Sequence, residues 1–277
     1  MGMRITTNIS AVKAARQLSG NQMNIESATE KLSSGYRINK AADDAAGLSV
    51  SEMMRNTIRS VRQASRNAND GISLIQTAEG GLNEIANIVI RLRELGVQAS
   101  SDTVGENERQ FIQTEVTQLT NEVNRIAAVT RWGKTILLDG QTPSFEIQVG
   151  INNDDFEDRI TFDPSLNNAT LDGLDLTGLD FTEQTTAQEA LSPLDDALIR
   201  VNEMRSNIGA IETRLVHTIE NQSIYEENMT AAKSRIRDTD VADATSTLAS
   251  SQVLLNASIS TLAQANSLPQ QALRLLS

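Results

Sequence analysis

The sequence predicts a mainly α protein, a long antiparallel helical bundle or coiled-coil rod whose terminal helices pair and which carries a small β-hairpin region at the far end. Three observations carry this expectation. Apolar residues recur at helical spacing along most of the chain. Aromatic residues make up 3% of it and Pro only 4 of 277 residues, which suits thin aliphatic helix seams rather than a thick globular core. Period-two alternation is confined to one internal stretch.

The elements follow in order. In residues 2–36, Ile5, Ile9 and Val12 fall at i, i+4 and i+7, and Leu18, Ile25 and Leu32 continue at seven-residue steps. From Met54 the register runs through Ile58, Val61, Ala68, Ile72, Ile75, Leu82, Ile85, Val89 and Leu92. This predicts one helix over 44–99, about 80 Å long. Gly71 and the Gly80-Gly81 pair weaken it locally, but the register passes through both without slipping. Residues 101–106 read as a loop, and Ile112, Val116, Leu119, Val123 and Ile126 mark an antiparallel second helix over 105–129. A β region is expected over about 130–182. There Phe145, Ile147 and Val149 alternate with polar residues, as do Ile160 and Phe162, while 171–181 reads as irregular chain or a last short strand. A third long helix extends from Leu191 to Ile236, with Pro193 near its start, where a missing N–H is harmless. At the C-terminus Leu248, Leu255, Ile259, Leu262 and Leu268 form a stripe matching the first. Stripes this long with no partner in a compact domain are assembly elements. These eleven terminal positions are therefore expected to be subunit-assembly contacts, the two ends pairing with each other or with further copies.

Composition narrows the function. With no cysteine there is no disulfide, thiol nucleophile or thiolate metal site. The first 30 residues lack a continuous apolar segment, so Sec-type secretion is not expected, and no run of about 18 apolar residues predicts membrane insertion. The net charge of −12 is concentrated. Residues 141–197 hold thirteen acidic residues against Arg159 alone, and the remainder is balanced. That pattern suits ends that pack in a crowded assembly and a middle that faces water. Nucleic-acid binding is disfavoured, because no basic face interleaved with aromatics occurs.

Several segments resemble bacterial flagellin. They are LSSGYRINKAADDAAGLSVSE (32–52), NANDGISLIQTAEGGLNEI (67–85), RLREL (91–95), TILLDG (135–140), IQVG (147–150), SRIRDTDVA (234–242) and LAQANSLPQQALRLL (262–276). The resemblance implies a short form in which residues 1–43 plus 237–277 make the coiled-coil inner tube of a filament and 44–236 the outer tube. It implies the structural subunit of the bacterial flagellar filament, self-assembling into the helical propeller of swimming. The resemblance further implies an extracellular location reached unfolded through the flagellar type III apparatus, without a cleaved signal peptide. Implied partners are further copies of itself, hook-associated and cap proteins, and an export chaperone that would hold the C-terminal helix with Leu273, Leu275 and Leu276. The sequence departs from the family at Trp132-Gly133-Lys134, where a Phe-Asn-Gly turn is common.

Individual residues weigh against chemistry. Arg91, Leu95 and Glu115 are expected to share a face, and the resemblance implies there both an inter-subunit contact and the surface recognised by the innate receptor Toll-like receptor 5. Asp43 and Asp44 are paired carboxylates at a helix start, where capping or a subunit contact is expected rather than acid–base catalysis. His217 is the only histidine and belongs to no HExxH, so no zinc site is expected. The acidic run 152–158 lacks EF-hand spacing and reads as a solvated tip. No catalytic residue, cofactor or metal is expected. The alternatives are a hook–filament junction protein, which shares the terminal helices, and a chemoreceptor-like signalling hairpin, which would form discrete dimers and no filaments.

Overall fold

The computed structural model describes residues 7–276, with side chains over 7–267. Ile5 and the side chain of Leu268 lie outside the described residues. In chain order the helices are α1 (Ile9–Ser34), α2 (Ala45–Ala99), α3 (Glu106–Val129), the short α4 (Gln184–Glu189), α5 (Leu191–Arg237) and α6 (Val241–Leu276). Between α3 and α4 lie two hairpins, β1 (Arg131–Trp132) with β2 (Thr135–Ile136) and β3 (Phe145–Gln148) with β4 (Arg159–Phe162). The three long internal helices and the β3–β4 hairpin fall where the patterning predicts them. The β1–β2 hairpin lies inside the expected β region with its turn at Gly133-Lys134, whereas the patterning marks neither α4 nor a 3-10 turn at Pro164–Leu166.

The chain divides into two compact units, Met1–Ile58 with Glu227–Ser277, and Arg59–Glu226. In the first unit α1 starts on Asn8, whose side chain accepts the Ala11 N–H, and stops at Gly35, in the left-handed region at φ 74°. α6 starts on Asp240, whose carboxylate accepts the Ala242 N–H. The two helices pack antiparallel. Asn8 Nδ2 donates to the Ala265 carbonyl, and Asn21 Nδ2 donates to Ser258 Oγ at 2.9 Å within the buried seam. The seam on α1 runs Ala11, Ala14, Leu18, Asn21, Ile25, Ala28, Leu32, in steps of three and four. On α6 it runs Ala244, Leu248, Ser251, Leu255, Ser258, Leu262, Ala265. Large and small residues alternate along α6 and, from Ala14 on, along α1, which lets the helices approach closely. A satisfied polar pair in such a seam fixes its register.

The second unit holds the main core. The buried face of α2, including Ile75, Leu82, Ile85, Val89, Leu92 and Leu95, joins Ile112, Val116 and Val123 of α3 and Leu194, Val201, Ile208 and Leu215 of α5. Ile147, Ile160 and Phe162 of the β3–β4 hairpin complete it. The pairing is antiparallel, Phe145 opposite Phe162 and Ile147 opposite Ile160, so one alternating set of side chains faces the helices. This explains the glycine inside α2: a Cβ on Gly71 would stand 2.7 Å from Ile147 Cδ1. At the other hairpin, Gly133 takes φ 61° at the first central position of the two-residue turn. That is the requirement of a type II′ turn, which the Trp132-Gly133-Lys134 sequence meets in place of Phe-Asn-Gly. Arg109, itself buried, closes the C-terminus of α2 by donating to the carbonyls of Ala99 and Ser101. Residues 171–181 are irregular, and Leu174, Leu176 and Phe181 are nonetheless buried.

Candidate assembly surfaces

The terminal stripes divide into two kinds of position. Leu18, Ile25 and Leu32 on α1, and Leu248, Leu255 and Leu262 on α6, are half-buried in the α1–α6 seam. Ile9 and Val12 are 56% and 55% exposed, and Ile259 is 51% exposed. These three lie outside the seam, exposed among the described residues. One-face periodicity reads all of them as a single stripe, whereas the packing separates an inner seam from an outer face. Met23 on α1 joins the outer face of Ile9 and Val12, and Val241, Val253 and Leu254 add exposed apolar side chains on α6. The sequence reading did not single these out; on α1 a second period through Ile9, Val12 and Met23 marks that face, whereas Val253 and Leu254 are adjacent and fit no single period. Isolated apolar residues on a surface are ordinary, but rows of them along paired helices mark interaction surfaces.

In the second unit Arg91 and Glu115 join α2 to α3, with Arg91 Nη2 2.9 Å from Glu115 Oε1. Arg91 Nη1 also reaches Glu94 Oε2 at 3.0 Å. The hydrogen bonds to Glu94 and then Glu115 push the Arg91 pKa up. Both partners of the α2–α3 pair are about half exposed. Leu95 does not share that face. It is 2% exposed and belongs to the core of the second unit.

The remaining polar residues are structural. Asp44 accepts the Gly47 N–H at 2.8 Å and caps α2. Asp43 accepts the N–H groups of Lys40 and Asn39, which together hold its carboxyl below the ordinary value. His217 is exposed, with Nδ1 3.3 Å from Glu220 Oε2. In the 152–158 run residues 152–157 are exposed, and one carboxylate holds the turn. Asp158 is buried, and its carboxylate accepts the N–H groups of Asn152 and Asp154. Arg159 binds Asp155 and Asn153 across the same turn. Among the described residues no cluster of three or more metal-capable side chains occurs, and no helix is long and apolar enough to cross a membrane.

Long paired helices with exposed apolar side chains define a helical structural protein. The model of the bacterial flagellin N-terminal helical region matches residues 5–142, and that of the bacterial flagellin C-terminal helical region matches residues 191–276. A flagellin of Halalkalibacterium halodurans is 43% identical over 274 residues, 99% of this chain and 100% of the relative. A flagellar filament core protein of Brachyspira hyodysenteriae is 41% identical over 287 residues, again 99% of this chain and 100% of the relative. The crystal structure of Bacillus cereus flagellin aligns with a TM-score of 0.51 at 28% identity, covering 57% of this chain and 88% of that one. The chain belongs to the bacterial flagellin family. It is a structural subunit of the flagellar filament and not an enzyme.

Proposed function

We propose that residues 1–43 with 237–277 build the inner tube of a helical filament, that 44–236 build the outer tube, and that the resulting propeller is extracellular. The observation that carries this reading is the exposed apolar side chains of Ile9 and Val12 on α1 and of Ile259 on α6, left bare beside the closed α1–α6 seam. The breaks between Ser34 and Ala45 and between Arg237 and Val241 support the proposed boundary. Association is head-to-tail, so it does not close on itself and growth continues. Burying those rows between copies offsets the entropy of ordering the chain ends. Ile5, Leu18, Ile25, Leu32, Leu248, Leu255, Leu262 and Leu268 complete the proposed contact set. Hook-associated and cap proteins would meet the same terminal helices at the two ends of the filament. Before export through the type III apparatus a chaperone would hold the C-terminal helix. Arg91 and Glu115 offer a polar outer surface to a neighbouring subunit or to Toll-like receptor 5, with Leu95 supporting them from the core rather than touching a partner.

The test is seeded polymerisation watched by electron microscopy. Deleting residues 241–277 should abolish tube growth while circular dichroism still reports a largely helical 44–236. Unimpaired growth would overturn the inner-tube role, and discrete dimers from the full chain would favour a signalling hairpin.

A further inference from the structure

Two features of the second unit are complementary but cannot meet within one subunit. The first is the β1–β2 turn. Arg131, Trp132, Gly133 and Lys134 are all exposed, Trp132 by 39%. Arg131 Nη2 donates to the Ala128 carbonyl, and among the described residues neither Arg131 nor Lys134 is in an ion pair. The turn therefore presents an indole flanked by two cations. The second feature is a cavity of about 470 Å³ where the turn after β3 meets α2 and α5. Its lining joins the buried Val61 and Val149 to the half-open Ile151 and Tyr225, and adds the exposed carboxylate of Glu157 from the acid-rich segment.

The two features lie apart. The β1–β2 hairpin packs against α2 at Gly81, where a Cβ would stand 2.6 Å from Thr130 Oγ1. Val61 is 20 residues back along the same helix, about 30 Å away. Four residues of strand from Thr130 to Lys134 reach only about 13 Å, so no subunit seats its turn in its own cavity. We propose that the turn of one copy seats in the cavity of another, with Trp132 against Val149, Ile151 and Tyr225 and Lys134 beside Glu157. The two surfaces differ, so the contact is heterologous and repeats from copy to copy without closing. An aromatic anchor in a desolvated pocket carries a large share of the energy of an interface, and opposite charges at its rim fix the orientation. The inference rests on the filament reading and names one contact within it.

Trp132 is the only tryptophan, so the intrinsic fluorescence of the full chain reads this contact without a label. Seeded tubes are grown from the parent and its variants and checked by electron microscopy. In tubes, acrylamide quenching of Trp132 should fall severalfold from its value in free subunits, with the emission moved to shorter wavelength. W132A should raise the critical concentration for growth by about tenfold, as the loss of an aromatic anchor does. K134E and E157K, each a change at an exposed side chain, should each raise it by about two- to fivefold, and the double variant should return close to the parental value. Tubes in which Trp132 quenches as it does in free subunits would overturn the proposal and leave the filament reading standing. Protection of Trp132 with a double variant no better than its worse single would overturn the cavity as the partner of the turn. Failure of the parent chain to form tubes would sink the filament reading itself, and the contact with it.

Discussion

A methyl group added at Gly71 would press on Ile147, which is buried, whereas one added at Gly80 would meet nothing within 4 Å. Both glycines cost α2 helix propensity, about 1 kcal/mol each relative to Ala. Gly80→Ala should therefore raise the unfolding free energy of the isolated subunit by about 0.5–1 kcal/mol. Gly71→Ala should lower it, because overpacking costs about 1–3 kcal/mol and exceeds the propensity gain. Denaturant unfolding of the two variants checks the opposite signs. The carboxylates set the pH response at this scale. Asp43 and Asp154 are held below their ordinary carboxylate range chiefly by backbone N–H donors, Asp180 by Thr182, Asp195 by Arg93 and Glu122 by Arg125. A depressed folded-state pKa gives stability that is present above the unfolded value and is lost as pH falls through the folded one. Thermal unfolding should thus be flat from neutral pH down to about 4.5 and fall below about 4, with the fall reduced in D43N. Capping by Asp44 was legible from a carboxylate at a helix start. The burial of Asp158 was not, since its partners are backbone N–H groups that only the folded turn aims at it.

At the scale of elements, the long helices were legible because each carries a sustained period that only one secondary structure satisfies. α2 remains unbroken through its glycines because Gly71 faces the β3–β4 hairpin and packing compensates for propensity. The packing of the irregular 163–183 segment was opaque for the opposite reason: several of its backbone groups are satisfied by distant side chains. Gln113 of α3 donates to the Leu179 carbonyl and accepts the Phe181 N–H, Asn124 accepts the Leu171 N–H, and Arg200 donates to the Gly173 carbonyl. No local pattern announces such clamps. Gln113→Ala leaves two backbone groups beside the buried Phe181 unpaired and should cost about 1–3 kcal/mol. Hydrogen exchange should show the loss as faster exchange at Phe181 than at α2 amides. In the α1–α6 pair the large residues of the seam were found from the sequence, while its small and polar layers, Ala14, Asn21, Ala28, Ser251 and Ser258, escaped a reading that counted only Leu, Ile and Val.

For the whole molecule, charge and apolar surface divide the labour as the composition suggests. The acid-rich 141–197 segment lies within the second unit, and the uncovered rows lie on the paired terminal helices of the first. Family membership was legible because ordered motifs run from one end of the chain to the other. The assignment of particular residues to contacts was less so, because period alone does not separate positions that a subunit covers from those it leaves to its neighbours. Leu95 is the clearest case, placed beside Arg91 and Glu115 by spacing and found buried in the core while they are half exposed. The central claim is that the bare faces of α1 and α6 become dry only between copies. Single cysteines at Val12 and at Ile259, in a chain that has none of its own, test it directly through their alkylation rates before and after polymerisation. Both thiols should react readily in the free subunit and become strongly protected in the filament; reaction at the same rate in both states would contradict the account.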